Sequence, residues 1–158
     1  MIKKTLAGTA AAVGAAAVLG SVASGGVKSP WYVALDKPAI QPPGPVFPIV
    51  WTLLYSDIAI SSAVVIDRLQ GADPGAAVAY QRALALNLVL NTSWSWVFFK
   101  AHKLVPAIVV AGALATSSID LARRAAQAHR AAGVALSPYA AWCSFATVLT
   151  TAIWRGNR

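Results

Sequence analysis

The chain has 158 residues, of which 58% are hydrophobic and 11% charged, and a net charge of +8. So little polar surface cannot cover a water-soluble globule of this size, which excludes a soluble single domain. The thirteen Lys and Arg are scattered through every hydrophilic connection, a distribution that fits anchoring at a membrane surface and not a nucleic-acid partner.

Five apolar stretches follow one another, at about 5–26, 45–66, 80–99, 104–124 and 131–154. Each is near the ~20 residues that a helix needs to cross ~30 Å of hydrocarbon. The expected fold is an all-α integral membrane protein: one domain over 1–158, a bundle of five transmembrane helices, and a long pocket-capping loop between the first two. The first stretch, with Lys3 and Lys4 ahead of an Ala/Gly-rich run, has the outline of a secretory signal. Its apolar run reaches Val27 without a charge, longer than a signal core, and it is taken as helix one. Gly8, Ala12 and Ala16, and later Ala111 and Ala115, place small residues at four-residue spacing, which permits close helix contact in lipid, although so alanine-rich a chain produces such spacings by chance as well.

The connection 28–44 contains Pro30, Pro38, Pro42 and Pro43, which forbid a continuous helix and favour extended or turn structure. Trp31, Tyr32, Leu35 and Ile40 are costly to leave in water, so this loop is expected to fold back as a lid carrying Trp31, Lys37, Pro42 and Pro43. In the second stretch Trp51 lies ~9 Å below the lid face and Tyr55 one turn deeper. In the third, Asn87, Asn91, Trp94 and Phe98 share one helix face. Amide side chains in hydrocarbon must face protein, water or ligand, so Asn87 and Asn91 are either interhelical hydrogen-bonding groups or pocket groups. Asp57 falls in the middle of a span, where a carboxyl is protonated, paired with a Tyr or Ser61, or turned to a water-filled crevice. In the last stretch Trp142 sits ~18 Å from the lid face, too deep for an interfacial anchor. Tyr139, Trp142 and Ala146 fall on one side of that helix, and small Ala146 leaves room for a flat guest. Pro138 either kinks the helix, if it starts near 131, or belongs with Ser137 to an amino-terminal cap. Cys143, the only cysteine, reads as a small buried hydrophobe. Five spans put the two termini on opposite faces, and Lys and Arg divide seven to six between those faces, which sets no orientation.

Along most of its length the chain resembles the translocator protein family (TspO/MBR), also known as tryptophan-rich sensory proteins or peripheral-type benzodiazepine receptors. The resemblance is carried by Trp31-Tyr32, Lys37-Pro38, Pro42-Pro43, Phe47-Pro48, Trp51, Leu54-Tyr55, Asn91, Trp94-Ser95 and Phe98-Phe99. It continues through Pro138-Tyr139, Trp142, Phe145-Ala146-Thr147 and Trp154-Arg155-Gly156-Asn157. It implies a five-helix bundle, usually a homodimer, that binds porphyrins, haem-like tetrapyrroles and often cholesterol under the first long loop. On that resemblance Tyr32, Trp51, Asn87, Asn91, Trp94, Trp142 and Ala146 line the pocket, and Tyr55, Phe98 and Tyr139 join them from the spacing above. Asn87 stands where the family often has glutamine. Thr150 replaces an asparagine, and no tyrosine precedes Arg155 at the spacing of the family's cholesterol motif, so a sterol is the weaker expectation.

The expected function is tetrapyrrole binding (protoporphyrin IX or a haem-like ligand) for sensing, buffering or transport, with no obligatory cofactor and no metal. A planar macrocycle suits stacking on indoles, and its propionates would reach Lys37. The alternatives are an enzyme that degrades porphyrin with oxygen and light, Trp51 and Trp142 serving as redox partners, and a small secondary transporter, for which no paired inverted repeat is visible. Hydrolysis is not expected, because His102 and His129 lie in separate connections with no nucleophile motif.

Overall fold

The computed structural model describes residues 1–158 and is all-helical. Six α-helices run α1 (Ile2–Ser24), α2 (Pro30–Ala34), α3 (Val46–Ala72), α4 (Pro74–Ser95), α5 (Leu104–Ala128) and α6 (Arg130–Gly156). A 3₁₀ turn, Gly25–Lys28, extends α1, and a π-helical turn, Trp96–Lys100, extends α4. The chain is an integral membrane protein: α1 with its 3₁₀ extension, α3, α5 and α6 are long and apolar enough to cross a bilayer. The 22-residue α4 is less apolar, since Gln81, Arg82, Asn87, Asn91, Thr92, Ser93 and Ser95 interrupt it. Helix α1 packs on α3 and α4, α6 packs on α3 and α5, and α4 also meets α3 and α5, so the long helices form a ring in the order α1, α3, α6, α5, α4.

The expected links 67–79 and 125–130 shrink to one residue each. Asp73 ends α3 and caps α4, its Oδ1 accepting the Ala76 amide at 3.0 Å, with Pro74 in the first turn where its missing N–H is harmless. His129 does the same between α5 and α6, its Nδ1 accepting the Ala132 amide at 3.2 Å. The helices outrun their apolar stretches because a helix needs its backbone ladder, not hydrocarbon, and continues into water until a cap stops it. Helix α6 therefore starts at Arg130 and Pro138 lies inside it, which rules out the Ser137-Pro138 cap.

Close approach of α5 and α6 rests on small residues: Ala107, Ala111, Ala115 and Ala125 on α5, and Ala132, Gly133 and Ala140 on α6, are buried. On α1 the expected small-residue face is displaced. Thr9, Val13, Ala16, Gly20 and Ala23 are buried, whereas Gly8 and Ala12 are exposed, because Thr9 donates to the Ala59 carbonyl at 2.8 Å and turns that face to α3.

The region 28–44 is not wholly irregular. Ser29 caps the short α2, its Oγ accepting the Tyr32 amide at 3.2 Å with Pro30 in the first turn. This turn sets Trp31 and Tyr32 down on a second, smaller core at the lid end, formed by Phe98, Phe99, Ala107, Leu149 and Ile153.

Candidate functional site

Helices α3, α4, α5 and α6 are tied together at mid-depth by a chain of buried polar side chains. Tyr55 donates to Asn91 Oδ1 at 2.9 Å, and Asn91 Nδ2 donates to Tyr139 Oη at 3.1 Å. Tyr139 donates to Asn87 Oδ1 at 2.7 Å, and Asn87 Nδ2 reaches Ser118 Oγ at 3.0 Å and Ser117 Oγ at 3.2 Å. Both amides thus have protein partners, the interhelical alternative raised by the sequence, and Asn87 is wholly buried. Asp57 also takes one of its expected arrangements, accepting from Ser61 Oγ at 2.7 Å.

Because α3 descends from the lid and α4 rises toward it, Trp51 and Trp94 each stand about one turn lidward of the Tyr55–Asn91 hydrogen bond. Two aromatic groups result. In the first, Trp51 stacks on Tyr55 (centroids 5.2 Å apart) and meets Tyr139 and Trp142 edge-on, both at 6.4 Å. Phe47 and Phe145 pack on Trp142 at 5.9 and 5.6 Å. In the second, Trp94 stacks on Phe98 at 5.1 Å, while lid residues Trp31 and Tyr32 meet Phe98 edge-on at 5.6 and 6.2 Å. The π turn explains why consecutive Phe98 and Phe99 are both buried: its wider winding leaves both rings on the inner side. Ala146 is half-buried on α6, one turn beyond Trp142.

Two buried polar atoms have no partner, the Trp94 Nε1 donor and the Gln41 Oε1 acceptor. A buried unpaired donor or acceptor costs about 1–3 kcal/mol, and both atoms lie beside the aromatic group of Tyr32, Trp94 and Phe98. Gln41 is placed by its own amide, Nε2 donating to Tyr32 Oη at 3.3 Å. Lys37 Nζ donates to the Tyr32 and Leu35 carbonyls at 2.7 and 3.1 Å and sits over the Tyr32 ring, leaving one of its three N–H groups for an outside acceptor. Pro42 is half-buried and Pro43 exposed in the strand of lid that leads to α3.

The lid is fastened at two points that the sequence reading did not assign. Asn157 grips Asp36 reciprocally: Oδ1 accepts the Asp36 amide and Nδ2 donates to its carbonyl, both at 2.9 Å. His102, at a left-handed φ of 54°, stacks flat on Trp31 at 4.1 Å. The only signal for either was Asn157 within the terminal Trp-Arg-Gly-Asn run. Asn157→Ala should speed amide exchange across 35–41 by about tenfold, the equivalent of ~1.4 kcal/mol for two exposed hydrogen bonds, while α3 amides stay unchanged. Hydrogen–deuterium exchange checks this, and equal rates in both proteins would show that the latch does not hold the lid.

An all-helical integral membrane protein with a tryptophan-rich interior under a fastened loop is the class that these features define. The chain belongs to the TspO/MBR family, whose model matches residues 8–155. It is 33% identical over 147 residues to the "Tryptophan-rich sensory protein" of Cereibacter sphaeroides, covering 93% of this chain and 87% of that one. It is 31% identical to "Protein CrtK" of Rhodobacter capsulatus, over 85% and 84% of the two chains. It is 29% identical to "Tryptophan-rich protein TspO" of Bacillus cereus, over 80% of each.

Proposed function

We propose that the protein is a membrane binding protein for tetrapyrroles, with α1, α3, α4, α5 and α6 all spanning the bilayer and the ligand lying beneath the lid among Trp51, Trp94 and Trp142. Helix α4 can span despite its polar residues because Asn87 and Asn91 turn inward to protein partners. The observation that carries the ligand reading is the unpartnered Trp94 Nε1 and Gln41 Oε1 beside stacked and edge-on aromatic rings. A macrocycle offers flat faces to the indoles, ring N–H groups and acidic substituents, and the free Lys37 N–H lies at the lid for a propionate. The relatives' names, with "sensory" among them, suit a ligand-reading role more than a fixed metabolic step.

The test is quenching of tryptophan fluorescence in lipid-reconstituted protein titrated with protoporphyrin IX. Saturable quenching is expected, weakened about two- to tenfold by each of Trp51→Phe and Trp142→Phe, as aromatic contacts of ~0.5–1.5 kcal/mol imply. Linear quenching that ignores both substitutions would mean partition into lipid and would end the tetrapyrrole reading.

A further inference from the structure

At the face opposite the lid, α1, α3 and α4 leave a cleft of about 510 Å³ that includes none of the aromatic site residues. Its origin is a divergence of α1 from α4. Near the lid the two helices are held together: Thr92 Oγ1 donates to the Ala16 carbonyl at 3.4 Å, Trp96 Nε1 donates to the Leu19 carbonyl at 3.1 Å, and a Cβ on Gly20 would stand 3.6 Å from Ser95 Oγ. Farther down, α1 leans on α3 through Thr9 and Ala59, and at that depth small Gly8 and Ala12 are among the residues with which it lines the cleft. A Cβ on Gly8 would meet nothing within 4 Å.

The cleft is graded along the membrane normal. Gly8, Ala12, Ala85 and Leu88 line the inner part, and Lys4, Gln70 and Gln81 line the mouth. From Lys4 to Ala12 the helix descends ~12 Å. Because Gly8, Ala12 and Ala85 are exposed, the cleft opens sideways toward lipid. The hydrogen bonds at the mouth run from Thr5 to the Met1 carbonyl and to Asp67, and both ion pairs of the chain lie elsewhere, at Asp120. The Lys4 ammonium and the Gln70 and Gln81 amides therefore keep their donors free.

We propose that this cleft seats one acyl chain of an anionic phospholipid, with its phosphate at the mouth against Lys4, Gln70 and Gln81. A cation flanked by two amide donors complements a phosphodiester, and the apolar inner part complements the chain hanging from it. Lys3, Arg68 and Arg82 on the same face strengthen the attraction beyond what Asp67 and Asp73 offset. This site is independent of the tetrapyrrole reading.

Native mass spectrometry of the full chain, reconstituted in nanodiscs of equal parts phosphatidylglycerol and phosphatidylcholine, tests it. One phosphatidylglycerol should be retained, favoured by about fivefold or more, a preference of the size expected from one or two basic contacts. Lys4→Gln should bring the two lipids near parity. Ala85→Phe, which fills the inner part, should abolish retention with tryptophan emission and helix content unchanged. Should Ala85→Phe not fold, Gly8→Leu fills the same space from α1. Equal retention of both lipids by the unaltered protein overturns the proposal, as does full retention in a folded cleft-filling variant. A cleft-filling variant that turns a dimer into monomers without altering lipid retention also overturns it, since a second copy would then be the occupant.

Discussion

Gly133→Leu should prevent α5 and α6 from closing and remove most folded protein. A Cβ at position 133 would fall inside contact distance of the Cβ, Cα and amide nitrogen of Ala126, and two of those three atoms belong to backbone that cannot rotate away. The two positions face each other across the one-residue hinge at His129, where the helices have no loop length with which to separate. Gly133→Ala should already cost about 1–3 kcal/mol by overpacking, and leucine more. Gly71→Ala is the control: it lies in the last turns of α3 with open space around it, and should be neutral or stabilising by up to ~1 kcal/mol. Thermal unfolding in detergent reads all three, and a Gly133→Leu protein with an unaltered midpoint would show that the α5–α6 approach is looser than described.

Asn87→Ala is the second large loss expected. It deletes the acceptor for Tyr139 and the donor to Ser117 and Ser118 in one step. At about 0.6 kcal/mol per interhelical hydrogen bond in a membrane, three bonds amount to about 2 kcal/mol. That agrees with the ~1–3 kcal/mol cost of stranding a buried polar partner. Tyr139→Phe should be comparable, because it interrupts the chain between Asn91 and Asn87. Ser93→Ala, which loses only a hydroxyl bonded to the Val89 carbonyl of its own helix, should leave stability unchanged. Equal unfolding midpoints for Asn87→Ala and Ser93→Ala would show that the polar chain does not hold the four helices together.

The long helices and the residues of the polar-aromatic stripe were legible in the sequence because hydropathy and the 3.6-residue period report them directly. The ends were not. Apolar stretches stop where hydrocarbon stops, whereas α3 runs on through Asp67, Arg68 and Gln70 until Asp73 and Pro74 end it. Which face of α1 packs was also hidden, since alanine and glycine occur on every side of it and the choice falls to the hydrogen bond from Thr9. The π turn carries no residue signature, and it decides that Phe98 and Phe99 both point inward. Asn87 and Asn91 were visible as groups in need of partners. Identifying those partners required the tertiary positions of Ser117 and Ser118 on α5 and Tyr139 on α6.

The single-residue connections at Asp73 and His129 both lie at the end away from the lid, while the chain links at the other end are longer. Mechanically the bundle resembles a pair of tongs with its pivots at one end and its jaws at the other. Helix α6, with 27 residues, is a lever of ~40 Å, so a swing of ~5° about His129 displaces its far end by ~3.5 Å. That is about the thickness of one aromatic ring at the lid latch on Asn157, while Trp142, ~18 Å from the pivot, would shift by only ~1.6 Å.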